Sequence, residues 1–273
     1  MEQLPNLMFM AASYRSPIIG YRSLAKLARN SFLVFLLTVA LAAPSHAHQP
    51  VNLTKAHAKI VNSPILVDGG ISWAVYAKVT KANDERHFRF SLTLGELLAA
   101  QYLIRDRSPE NNLKNSQLPV VTIKSPSGKN LRLEIKERTP FFEEYSKQSY
   151  IYLSRLTEPS EAGIYTITIR GKRAAEVVIA VGTAEIRGDV MTVGKSAKSC
   201  PLPTKKGLEI PLAIARQLIG VSERAAQLCA SVNKWSARIA SRDGEEFALT
   251  MDYRIDRINL RIKEGLVTDV TVG

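Results

Sequence analysis

The sequence predicts an antiparallel β-sandwich followed by a small α+β domain, and three observations carry that expectation. From about Ala58 to Gly182, seven segments alternate apolar and polar residues or concentrate β-branched and aromatic ones, the signature of strands. Between Thr183 and Gly207 the alternation stops, and glycine, serine, lysine and proline collect. Beyond Gly207 the apolar period becomes helical before it returns to two. With 273 residues, 45% of them apolar, the chain can build one large core or two smaller ones.

The elements follow in order. Arg15, Arg22, Lys26 and Arg29 precede the apolar run FLVFLLTVALAA, and PSHA follows with small residues at Ser45 and Ala47. This order reads as a secretory signal peptide over residues 1–47, cleaved after Ala47. The apolar run is shorter than the roughly 20 residues that span a bilayer, and no later stretch is longer, so the expectation is a secreted or periplasmic protein with no membrane attachment after cleavage.

The sandwich is expected over residues 48–185. Its strands are ISWAVYAKV, HFRFSLTL, PVVTIK, LRLEI, SYIYLSRL, GIYTITIRG and AAEVVIAVG, with VDGG, SPSGKN and SEAG as turns and RDRSPENNLKNSQLP as a polar surface loop. Phe88, Phe90, Tyr150, Tyr152 and Tyr165 alternate with polar positions and read as core rather than as a sugar-stacking platform, and the FFEEYSK run with Glu143 and Glu144 reads as a solvated edge. Residues 186–206 read as a linker. In residues 207–273, IPLAIARQLIG and VSERAAQLCASVNK read as helices, the second N-capped by Ser222. WSARIASRDGE and RINLRIK read as strands, the latter with Ile258, Leu260 and Ile262 inward and Arg257, Asn259, Arg261 and Lys263 outward, before the EG turn into LVTDVTVG.

The net charge of +12 is scattered among acids, without a basic stripe interleaved with exposed aromatics, so it predicts solubility and no nucleic-acid partner. There is no GxSxG, HExxH or paired-cysteine zinc spacing, so the expectation is a protein that is not an enzyme, with no cofactor and no metal. Cys200 and Cys229 are the two cysteines; an exported chain permits a disulfide, and the pairing is unambiguous if it forms.

Between the last helix and RINLRIK lies one conspicuous loop, and Met251 stands on it between Thr250 and Asp252. A methionine that fills a core has apolar neighbours. A loop that enters a protease cleft must be rigid beforehand, because ordering each flexible side chain on association costs about 0.5–1.5 kcal/mol. Thr250 and Asp252 offer acceptors, Arg257 a five-donor fork that can reach back beneath the loop, and Asn259 a further donor on the same strand face.

The run TMDYRIDRIN, followed by a glycine turn and VG, resembles the potato inhibitor I family of subtilisin and chymotrypsin inhibitors, most closely its bacterial branch, over roughly Gly220 to Gly273. The resemblance implies that Met251-Asp252 is the reactive-site bond, that Thr250, Tyr253 and Arg254 are loop contacts, and that Arg257 and Asn259 support the loop. It implies a subtilisin-like or chymotrypsin-like serine protease as partner. HFRFSLTLGELL, VTIKSPSG and EAGIYTITIRG more distantly resemble the pre-peptidase C-terminal sandwich modules of secreted peptidases, which are read as binding or targeting parts. Two other readings stand beside inhibition: an adhesion or structural module without inhibitory activity, and copper binding through an N-terminal His48 freed by cleavage, with His57 or His87 completing the site.

Overall fold

The computed structural model describes residues 48–203 and 207–273, so the leader expected over 1–47 lies outside the described residues. The first part of the fold is built from β1 (Gln49–Leu53), β2 (Ile65–Leu66), β3 (Trp73–Val79), β4 (Glu85–Leu92), β5 (Leu97–Arg105), β6 (Val120–Lys124), β7 (Asn130–Arg132), β8 (Thr139–Glu143), β9 (Gln148–Pro159), β10 (Gly163–Arg170), β11 (Ala175–Val181) and β12 (Val190–Met191). The short strands β13 (Val193–Gly194) and β14 (Cys200–Pro201) follow. Then come the one-turn helix α1 (Leu212–Ala215), helix α2 (Glu223–Asn233), β15 (Ser236–Arg242), β16 (Glu245–Glu246), β17 (Arg257–Lys263) and β18 (Leu266–Val272).

The first twelve strands form a β-sandwich of two six-stranded sheets, ordered β1-β3-β11-β5-β9-β8 and β12-β2-β4-β10-β6-β7. Alternation decides what lies between them: Val75, Ile104, Leu153 and Ile179 from the first sheet meet Phe88, Phe90, Ile123 and Ile167 from the second in one buried cluster. Phe90 lies opposite Tyr165 in the register, and their rings stack with centroids 5.3 Å apart. The pairing is antiparallel except that β1 runs parallel to β3 and β2 parallel to β4. The chain reaches each of these partners after a long connection rather than a hairpin, which is what parallel pairing requires.

Five of these strands, β1, β2, β5, β8 and β12, are absent from the sequence expectation. β5 lies in the run LLAAQYLIR; its inward Leu98, Ala100, Tyr102 and Ile104 are buried, and Leu103 is buried on the other face, so its text lacks a clean alternation. β1 pins the segment that begins at Gln49, and β8 forms the sheet edge from the FFEEYSK region. The loop from Arg105 to Pro119 is anchored by Leu113 and Leu118, which enter the core, and by the Tyr102 hydroxyl, which donates to the Pro119 carbonyl at 3.0 Å. Phe88, Phe90 and Tyr165 are core residues, but Tyr150 and Tyr152 belong to a separate apolar cluster outside the sandwich interior, because the inward positions of β9 are Ile151 and Leu153.

A second core lies beneath α2. Ala225, Ala226 and Cys229 of the helix meet Ile258, Leu260 and Ile262 of β17 and Val267 and Val270 of β18. Ser222 caps α2 by accepting from the Ala225 N–H, and Lys234 closes it in the left-handed conformation. The expected first helix is shorter: IPLAIARQLIG forms one α-turn and a 3₁₀ turn over Arg216–Leu218, then stops at Gly220, whose φ is +83°. In β15 Ala237 is exposed, and the register with β17 shifts between Ile239 and Ser241.

The segment between the two cores is ordered by both. β12 pairs with β2 in the second sandwich sheet, and Cys200 on β14 is disulfide-bonded to Cys229 on α2. Ile65 and Val67 at the sandwich edge, together with Met191, pack into the core beneath α2, and Arg224 of the helix pairs with Asp68 at 2.6 Å. Among the described residues no helix is long and apolar enough to cross a membrane.

Candidate functional site

The loop exists because β15 and β17 are parallel neighbours within the sheet β16-β15-β17-β18. A chain that ends one strand and begins a parallel neighbour must first travel back along its length. Helices commonly make that return, but here an exposed segment does. It leaves the short hairpin of β15 with β16, where the Phe247 N–H donates to the Ala240 carbonyl, and runs to Asp256. Every second residue on it is a large apolar side chain with substantial exposure: Phe247, Leu249, Met251, Tyr253 and Ile255. Met251 is fully exposed.

Two arginines, one from each parallel strand, hold the backbone on either side of Met251. Arg257, at the start of β17, donates from Nη1 to Asp252 Oδ2 at 2.9 Å and from Nη2 to the Asp252 carbonyl. Arg238 of β15 donates from Nη1 to Thr250 Oγ1 at 3.1 Å and to the Thr250 carbonyl at 3.3 Å. The Thr250 hydroxyl in turn donates to Asp252 Oδ1, closing a link beneath Met251. These donors act on the carboxylate: the Thr250 hydroxyl and the Arg257 guanidinium hold the Asp252 pKa down at about 2.

The arginines are themselves fixed. Arg257 and Asn259 point to the loop side of β17, yet they are only 6% and 8% exposed, because the loop and the end of the chain cover them. Arg257 Nε and Asn259 Nδ2 both donate to the Gly273 carbonyl at 2.9 Å, and Asn259 Oδ1 accepts from Arg238 Nε. Asn259 and Arg238 are direct partners in the parallel register, which explains how one amide serves the second arginine. Gly273 is required where it stands: its φ is +127°, and a Cβ there would come within 2.6 Å of the Tyr253 ring. The Tyr253 hydroxyl donates to Glu209, and Arg254 forks onto Asp256 at 3.2 Å through both Nε and Nη2.

The structure therefore brings Thr250, Met251, Asp252, Arg257 and Asn259 into one assembly. Tyr253 and Arg254 sit just beyond it on the same loop, both exposed. Gly273, the glycine of the VG that follows TMDYRIDRIN and its glycine turn, belongs to the assembly too, as do Arg238 and Glu209, which no motif marks; only the pairing of β15 with β17 reveals Arg238. Cys200 and Cys229 lie on the far side, where the disulfide ties α2 to β14 and the Asn233 amide donates to the Pro201 carbonyl at 3.1 Å.

The three described histidines have separate partners. His48 Nδ1 is bonded to Ser72 Oγ, the His57 ring accepts from the Thr54 N–H, and His87 lies between Thr168 and Glu85. Among the described residues no group of three or more histidine, cysteine or carboxylate side chains is placed to hold a metal. No family model matches the chain, and no curated protein matches it either.

Proposed function

We propose that the chain is an exported serine protease inhibitor whose region 207–273 is a small α+β domain of the potato inhibitor I type, acting through the loop centred on Met251-Asp252. The observation that carries this reading is a fully exposed Met251 whose two neighbours, Thr250 and Asp252, are each tied to an arginine of the strands beneath.

A substrate enters a protease as an extended strand whose alternate side chains fill pockets. The exposed apolar side chains from Phe247 to Ile255 offer such a series, with Met251 at the primary position. The catalytic serine of the target then faces the Met251 carbonyl carbon, and its oxyanion hole receives the carbonyl oxygen. Attack breaks the bond to the Asp252 nitrogen. Because Arg238 holds the Thr250 side of that bond and Arg257 the Asp252 side, the new amine stays beside the acyl carbon and religation competes with release. Methionine suits the apolar pockets of subtilisin-like and chymotrypsin-like enzymes. Export fits the leader over 1–47 and the disulfide between Cys200 and Cys229.

The test is titration of subtilisin and of chymotrypsin with the purified protein. The reading expects stoichiometric loss of activity of at least one enzyme and slow, incomplete cleavage at Met251-Asp252. Full proteolysis at that bond with ordinary substrate kinetics, or no inhibition by folded protein, would overturn it.

A further inference from the structure

The outer face of the first sandwich sheet departs from what a solvated face requires. In a sheet with one face on the core, outward positions are normally polar. Here Ala74, Val178, Ala180 and Leu103 point outward and form a buried apolar floor of their own, separate from the sandwich interior. Aromatic walls rise beside it. Tyr76 and Tyr150 stand with hydroxyls 3.3 Å apart, and Phe141 and Tyr152 meet at 5.2 Å with planes tilted by 42°. Together they enclose a cavity of about 260 Å³, just under the roughly 300–1,000 Å³ of pockets for drug-sized ligands.

The polar groups on the rim define what fits. Gln101 lines the cavity, and its side chain makes no hydrogen bond among the described residues. The Tyr76 and Tyr150 hydroxyls, once bonded to each other, keep acceptor capacity, and Ser146 adds another hydroxyl. Glu143 on the rim accepts from the Tyr145 and Ser146 N–H groups and keeps lone pairs on both oxygens for a ligand hydroxyl. An anion would need a free cation. His48, which lines the cavity, is bonded to Ser72 and pushed toward its neutral form by burial; Arg155, stacked over Tyr152 at 4.4 Å, is forked onto Glu137, and Arg105 lies over the Tyr76 ring outside the cavity. A purely apolar ligand would strip water from the Gln101 amide and give nothing back, which is costly for a polar group. A neutral ring, with C–H faces for the aromatics and hydroxyls that donate to Glu143 and both donate to and accept from Gln101, matches this set of groups.

We propose that this cavity is a carbohydrate-binding site that takes one neutral sugar ring, or the end unit of a glycan, against Tyr152 and Phe141 with Gln101 bonding its hydroxyls. The site is independent of the loop, so it places a ligand-anchoring function on the sandwich whatever the loop does.

The test uses the full-chain protein, titrated by calorimetry with cellotriose, maltotriose and triacetylchitotriose, with octylammonium and octanoate as charged apolar probes. At least one sugar is expected to bind saturably with Kd near or below about 1 mM. Gln101→Leu, which leaves the aromatic walls in place, is expected to weaken that binding about tenfold or more with the melting midpoint held within about 2 °C. Tyr152→Ala is expected to weaken it further, and Met251→Lys to leave it unchanged. Absence of saturable sugar binding up to about 10 mM, binding only of the charged probes, or sugar binding indifferent to Gln101→Leu would each overturn the proposal. Should Tyr152→Ala fail to fold, Gln101→Leu alone decides.

Discussion

The sandwich interior and the Met251 loop hold their shapes by opposite means. Between the sheets, Phe88, Phe90, Tyr165 and their neighbours are fixed by exclusion of water, and any one of them touches many others. The loop has no core: its large side chains face solvent, and its backbone is held by the forks of Arg238 and Arg257 and by the Gly273 carbonyl beneath them. The first arrangement spreads stability over the whole fold. The second concentrates shape in a few bonds, so a single substitution can loosen the loop and spare the fold.

That contrast breaks most visibly in the core. Phe90→Ala removes a ring stacked on Tyr165 and is expected to cost about 3–5 kcal/mol in denaturant unfolding. Its effect on any loop activity is expected to follow the unfolded fraction and nothing more. The next largest effect belongs to the disulfide. Replacing both Cys200 and Cys229 by serine lengthens the unfolded chain's freedom across 29 residues, and a loss of about 2–5 kcal/mol is expected by the same measurement.

The loop bonds should behave in the reverse sense. Arg257→Gln and Arg238→Gln are each expected to weaken protease inhibition about 10–100-fold and to speed cleavage at Met251-Asp252, with a melting shift of only a few degrees, at most about 4 °C. A large melting shift with inhibition retained would mean that the arginines serve the fold rather than the loop.

The smallest effect is the most local. The Asp252 pKa is depressed to about 2, so the bracing it provides is complete above the unfolded value near 3.8 and is lost as pH falls through about 2. Titration of its side-chain carboxyl carbon by NMR should place the midpoint near 2 in the parent and move it upward in Arg257→Gln. An unchanged midpoint would show that Arg257 does not act on this carboxylate.

These contrasts also explain what was legible in the sequence. GIYTITIRG announces itself because one face is buried and the other partly exposed, HFRFSLTL because its apolar and polar residues alternate even though both faces are buried, and Ser222 announces α2 because a helix start needs an acceptor. β5 hides because Leu103 is buried on the face where a polar residue is expected, under the same aromatic cluster that removes Tyr150 and Tyr152 from the interior. A period-two reading cannot tell which of two apolar faces meets the other sheet.

In the loop, Thr250, Asp252 and Arg257 could be named because they lie within eight positions of one another along the chain. Arg238 could not, because its relation to Thr250 passes through a parallel pairing with β17 that the sequence does not declare. The same holds for Glu209 beneath Tyr253 and for the role of Gly273 beneath Arg257 and Asn259. Local chemistry shows which residues want partners, and topology decides who they are.

The most direct measurement is a pair of inhibition constants, for subtilisin and for trypsin, on the parent and on Met251→Lys. Because Met251 touches nothing that holds the loop, the substitution should leave folding intact and change only what is offered to the target's pocket. The account expects inhibition of subtilisin to weaken and inhibition of trypsin to appear or improve, each by about tenfold or more. Constants unchanged for both enzymes in a folded protein would contradict the claim that Met251 is the residue a protease reads.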